Sequence, residues 1–187
     1  MCQKQINLKN PNMKKLLIIA FGIFVLASCQ EKQRYTQQSP EIETYKKAIK
    51  DYEMANWESL ASHYADTAKI YFNATQKNPK TVAQMIEQDK NDVILFTSYN
   101  FVPEESEFEM VVTDKGETWV NYWGLWQGRL KSNNELFELP VHLTARFIDG
   151  KIVKEHGYWD NSAITVAMMN AQSASPPEAT TETEEKK

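Results

Sequence analysis

From Pro40 onward the apolar positions change period once, near Val93, and that change divides the chain into a helical and a strand-forming part. Ser39-Pro40-Glu41 supplies an N-cap, a proline at the first helical position and an acid near the positive helix end. Ile42, Tyr45, Ile49 and Tyr52 then recur at helical spacing, which predicts a helix over about 40–55. After Asn56, the positions Trp57, Leu60 and Tyr64 continue one apolar face through a shorter second helix ending near Asp66, and 69–73 reads as a short strand. Asn78-Pro79 marks a turn. Thr81-Val-Ala-Gln84 matches a capping box ahead of Val82, Met85 and Ile86, so a third helix is expected over about 82–91.

Beyond that point the period falls to two and β-branched and aromatic residues dominate, over 93–102, 107–113, 118–130, 136–148 and 151–159. Helices first and strands afterward predict an α+β fold with three N-terminal helices packed on a curved antiparallel sheet. The links are short, so the strands are expected to form a meander, and Asp149-Gly150 is the strongest hairpin signal.

That hairpin assigns faces. With Ile148 opposite Lys151, an uninterrupted register sets Phe147 against Ile152, Ala145 against Lys154, Leu143 against His156 and Val141 against Tyr158. The alternate positions from Phe137 to Phe147 are all apolar, so this face is expected to meet the helices, with His156, Tyr158 and, at the strand end, Asp160 pointing inward. The opposite face would carry His142, Thr144, Arg146 and Glu155. Pairing Leu130 with Glu135 across the preceding loop adds Val120, Tyr122 and Trp126 to the inner face, with Gly124 and Gly128 on the same parity, and leaves Trp119, Trp123 and Leu125 outside. Such an outer apolar row suggests a homodimer contact, or a surface covered by a loop or the tail.

The amino terminus carries a different signal. Lys14-Lys15 precedes twelve uncharged residues, 16–27, and then Ser28-Cys29. Twelve helical residues rise about 18 Å, short of the roughly 30 Å hydrocarbon core, so a cleaved secretory signal is expected rather than a permanent span. Leu26-Ala27-Ser28-Cys29 resembles a bacterial lipobox, which implies cleavage before Cys29, acylation of that cysteine, and a lipid-anchored protein of the bacterial envelope, periplasmic or at the outer membrane. Met13 is the expected initiator. The expected organisation is a signal over 1–28, Cys29 and a polar spacer over 29–39, one domain over 40–170, and a disordered tail rich in Ser, Thr, Pro and Glu over 171–187.

Composition narrows the chemistry. All four charges in the first 29 residues are lysines, which leaves 17 basic and 25 acidic residues beyond, a net charge of −8 and no nucleic-acid footprint. Cys2 and Cys29 are the only cysteines, so the folded domain offers no disulfide, cysteine nucleophile or thiolate metal site. His63, His142 and His156 share no metal-ligand spacing, and there is neither a glycine-rich phosphate loop nor a Gly-x-Ser-x-Gly elbow. No metal and no cofactor is expected.

Tyr64-Ala-Asp66, Phe147-Ile-Asp-Gly-Lys-Ile152 and His156-Gly-Tyr-Trp-Asp160, on three helices followed by a curved sheet, resemble the SnoaL-like branch of the nuclear transport factor 2-like superfamily over about 41–165. The resemblance implies a cone open between sheet and helices, in a group that includes ketosteroid isomerases, polyketide cyclases and epoxide hydrolases. It also places His156 and Asp160 at last-strand positions that catalytic members use. Three readings follow: a cone that binds a small apolar molecule against Tyr122, Trp126 and Tyr158 with His156 as a polar contact; an acid–base enzyme using His156 with Tyr158 or Asp160; and an interaction module with a filled cone. His156 reads also as a hydrogen-bonded core histidine and the three aromatic residues as core packing, while Asp160, about 13 Å along the strand from His156, reads as a cap for the turn at Asn161-Ser162.

Overall fold

A computed structural model describes residues 34–174. The expected signal segment, Cys29 and the rest of the expected tail beyond Ala174 lie outside the described residues. In chain order the elements are β1 (Tyr35–Thr36), α1 (Pro40–Glu53), α2 (Trp57–Ser62), β2 (Tyr64–Phe72), α3 (Val82–Val93), β3 (Phe96–Phe101), β4 (Glu107–Val112), β5 (Thr118–Leu130), β6 (Leu136–Ile148), β7 (Lys151–Tyr158) and α4 (Ser162–Ala174).

The helix starts follow their caps. Ser39 Oγ accepts from the Ile42 amide at 3.2 Å ahead of Pro40, and Thr81 and Gln84 form the reciprocal capping box that opens α3. The second helix is shorter than its apolar spacing suggests. Its chain leaves at His63, whose carbonyl accepts from the Ile152 amide at 3.0 Å, and Tyr64 to Asp66 therefore begin β2 rather than end a helix.

The sheet runs β1-β4-β5-β6-β7-β2, with β3 beside the far half of β5. β6 covers almost the whole of β5, while on the other edge β4 covers Thr118 to Trp123 and β3 covers Phe101's partner Trp126 to Leu130. The turn Pro103–Glu105 separates those two short strands. Every pairing is antiparallel except β2 with β7, which is parallel, so the sheet is mixed. With helices over its concave face, the chain forms a cone-shaped α+β fold. Two segments extend the expected domain: β1, within the expected spacer, pairs with β4, where Arg34 meets Asp114 at 2.6 Å, and α4 continues four residues into the expected tail.

The Asp149-Gly150 turn has both residues in the left-handed region, φ 49° and 75°, as a two-residue hairpin requires. Phe147 faces Ile152 as expected. Arg146 then pairs with Lys154, so Val153 is an extra residue with no partner, a β-bulge. Because side chains alternate along a strand, that one residue reverses the remainder of β7: Glu155 and Gly157 point into the cone, and His156 and Tyr158 point out. The register across the longer loop matches the sequence reading, with Trp126 opposite Leu139 and Tyr122 opposite Leu143.

Candidate functional site

The interior of the cone is lined by apolar side chains from every layer, and Glu155 is the one charged residue among those described that is fully enclosed, 2% exposed. Its oxygens are held separately. The Tyr45 hydroxyl, from the apolar face of α1, donates to Oε1, and the Tyr64 hydroxyl, from the start of β2, donates to Oε2 at 2.6 Å. Tyr45 is itself fixed edge-on between Phe108 and Phe147, with ring centroids 6.5 and 6.3 Å away. Burial pushes the Glu155 carboxyl up to about 7, against the opposing pull of the two tyrosine hydrogen bonds. Burial, and then the Glu155 charge, push both tyrosines well above their ordinary value, so they remain donors.

Beside this triplet lies a cavity of about 280 Å³. Trp126 stands on one wall, edge-on to Phe96 at 5.1 Å, and its buried indole N–H makes no hydrogen bond of ordinary geometry, although it lies close enough to the Tyr52 hydroxyl to oppose the burial that raises that group's pKa. Gly128 makes room for that ring, since a side chain there would overlap it. Helix α3 contributes Asp89 and Asp92. Burial pushes the half-buried Asp89 up to about 7, the negative charges of Asp92 and Glu155 add to the shift, and Lys80 opposes it. Trp159, Ile164 and Met168, from the end of the sheet and α4, close the cavity from the other side.

The residues expected to form the site separate. Trp126 lines the cavity. Tyr122 points inward and is fully buried, but it packs against Phe101 and Phe108, lies 3.0 Å from Ser106 Oγ, and is not on the cavity wall. The inward placement of His156 and Tyr158 is corrected by the bulge at Val153. His156 stacks on Tyr71 at 4.8 Å on the outer face, where burial and Lys154 lower its pKa, and Tyr158 is 51% exposed. The expected outward position of Glu155 is reversed for the same reason. Asp160 is exposed and accepts from the Ser162 amide at 2.9 Å, the capping arrangement, which lowers its pKa. Cys29 lies outside the described residues.

Sequence reasoning missed Glu155, Asp89 and Asp92. It had placed Tyr45 and Tyr64 on apolar faces, and two buried hydroxyls require acceptors, which was the available signal for an inward acid nearby. Among the described residues no group of three or more His, Cys, Asp or Glu is arranged to hold a metal ion. What the arrangement offers is an apolar chamber with a carboxyl group that changes charge near neutral pH. Each Glu155 oxygen retains a lone pair beyond the one its tyrosine occupies.

No protein-family model matches the chain, and no curated protein matches it in sequence. Solved structures do match in shape. IdmH of Streptomyces antibioticus, described as a proposed polyketide cyclase, superposes with a TM-score of 0.55 at 16% identity, covering 71% of this chain and 99% of its own. A SnoaL-like protein of Shewanella denitrificans, also described as a proposed polyketide cyclase, gives 0.53 at 13% identity, with 71% and 99% covered. A protein of Catenulispora acidiphila with a ketosteroid isomerase-like fold, in complex with trimethylamine, gives 0.53 at 13% identity, with 66% and 90% covered. At these identities the likeness is one of architecture: this chain has the cone-shaped α+β fold of SnoaL-like and ketosteroid isomerase-like proteins.

Proposed function

We propose that the cone binds a small organic molecule and that Glu155 moves a proton on it, in a reaction of the isomerase, cyclase or hydratase type. One observation carries this reading: a carboxyl group enclosed beside an apolar cavity and brought by burial to about 7, where it is both a usable base and a usable acid. Tyr45 and Tyr64 orient the carboxyl and accommodate its charge when the proton leaves. Asp89 is a second acid on the cavity wall. The acid–base role expected of His156 passes to Glu155, one residue away and on the other face. The neighbours described as polyketide cyclases, and the one holding trimethylamine, support a small-molecule occupant.

The test is native mass spectrometry of the protein purified from its own cells, followed by identification of any retained molecule and its incubation in deuterated water. Deuterium exchange or turnover is expected with the wild type and a 10²–10⁴-fold loss in Glu155→Gln, with binding kept. A protein with no retained molecule that also takes up no fragment in the cavity would contradict the reading.

The proposal includes a lipid anchor at Cys29, tested by metabolic labelling with an alkyne fatty acid, which Cys29→Ser should abolish. It also includes self-association through the outer sheet face. Exposed Trp123 and Tyr158 flank His142 there in a row of rings, with centroids 5.0 and 6.4 Å from the imidazole, and light scattering of the Trp123→Ser variant reports on it.

A further inference from the structure

The cavity wall is lopsided in charge. Asp89, Asp92 and Glu155 line it, and no described lysine, arginine or histidine does. Lys80 acts on Asp89 from outside the wall. Between the acids stand aromatic rings, among them Tyr52, Phe96, Phe101, Trp126 and Trp159. Ring faces carry partial negative charge, so rings and carboxylates attract the same sort of ligand. Trp126 adds an independent requirement, because its enclosed N–H is a donor without a proper acceptor.

An anionic ligand would meet three carboxyl groups with no counter-charge on the wall. A purely apolar one would leave the Trp126 donor with no better partner than the poorly placed Tyr52 hydroxyl. We infer that the occupant is a compact organic cation, a tertiary or quaternary amine that also carries an acceptor oxygen. Its ammonium group sits among the rings within reach of the acids, and its oxygen accepts from Trp126. A volume near 280 Å³, at the lower end of ordinary ligand pockets, suits a ligand of that size. This inference rests on the small-molecule reading of the same cavity and specifies the charge of the occupant.

Three probes of nearly one shape test it on the intact protein by titration calorimetry at pH 8: choline, its uncharged isostere 3,3-dimethylbutan-1-ol, and the anion 3,3-dimethylbutanoate. Choline is expected to bind at least tenfold more tightly than the alcohol, and the anion not measurably. Asp89→Asn with Asp92→Asn, the first half-buried and the second exposed on α3, should weaken choline at least fivefold and change the alcohol less than twofold. Equal binding of choline and alcohol would overturn the cationic occupant and leave the cavity reading intact. Binding of none of the three would also overturn it, and a retained neutral molecule found by mass spectrometry would then separate its failure from that of the proposed function.

Discussion

The Tyr64 hydroxyl donates to Glu155 Oε2 at 2.6 Å, joining the first residue of β2 to the middle of β7 inside the apolar core. Together with Tyr45 on Oε1 it allows an ionisable group to be enclosed without an opposite charge beside it. The cost of that enclosure appears as pH dependence. The folded carboxyl holds its proton to about 7 against an ordinary 4.5, so the native state binds more protons than the unfolded chain between those values. Stability is therefore highest below about 4.5 as far as this group is concerned, and falls as pH rises through 7. The loss is about 3 kcal/mol at the usual conversion of a pKa shift. Urea midpoints at several pH values between 4.5 and 8 should show this decline in the wild type and a flatter profile in Glu155→Gln.

Tyr64→Phe removes one of the two donors and leaves its oxygen enclosed. Stability at pH 8 is expected to drop by about 1.5–3 kcal/mol, the ordinary range for a hydrogen bond to a charged group. At pH 5, where Glu155 is mostly protonated, the drop should be smaller. Equal losses at both pH values would mean that the hydroxyl matters only for packing.

Deleting Val153 restores a regular β6–β7 hairpin. Lys154 then stays opposite Arg146 and Glu155 opposite Ala145, so Glu155 keeps its place between Tyr45 and Tyr64. The deletion variant is therefore expected to keep a cooperative thermal transition by circular dichroism and the pH-dependent stability of the wild type, and loss of both would mean that Val153 itself is needed to place Glu155.

That bulge is also where sequence reading stopped. The Thr81 capping box, the Asp149-Gly150 hairpin and the bounds of β5 and β6 are set by local residue types, and each is found as read. Nothing about Val153 marks it as the extra residue: it is β-branched, with no glycine beside it, and alternation carried past it puts every later side chain on the wrong face. The consistent signal lay elsewhere, in Tyr45 and Tyr64, whose buried hydroxyls fit an acid at 155 and not a lysine at 154. The parallel contact of β2 with β7 joins segments more than 80 residues apart, and no local pattern encodes it. Helix α4 is absent from the sequence reading, although Ile164, Ala167 and Met168 have helical spacing and pack on the core.

On the outer face, His156→Ala and Tyr158→Ala are expected to leave ligand retention within twofold of wild type, because neither residue lines the cavity. Trp126→Leu, which removes a donor and a ring from the wall, should reduce retention at least tenfold in the same native mass spectrometry assay. The reverse ranking would return the site to the outer sheet face.

Both the enclosure of Glu155 and proton transfer in the cone depend on the state of one carboxyl group. Carbon-13 NMR of glutamate side-chain carboxyls, with Glu155 assigned through Glu155→Gln, follows that group directly from pH 4 to 9. The predicted result is a titration centred near 7 that moves when a ligand enters the cavity. A midpoint near the ordinary 4.5, unmoved by any bound molecule, would contradict both the enclosure of Glu155 and its role in proton transfer.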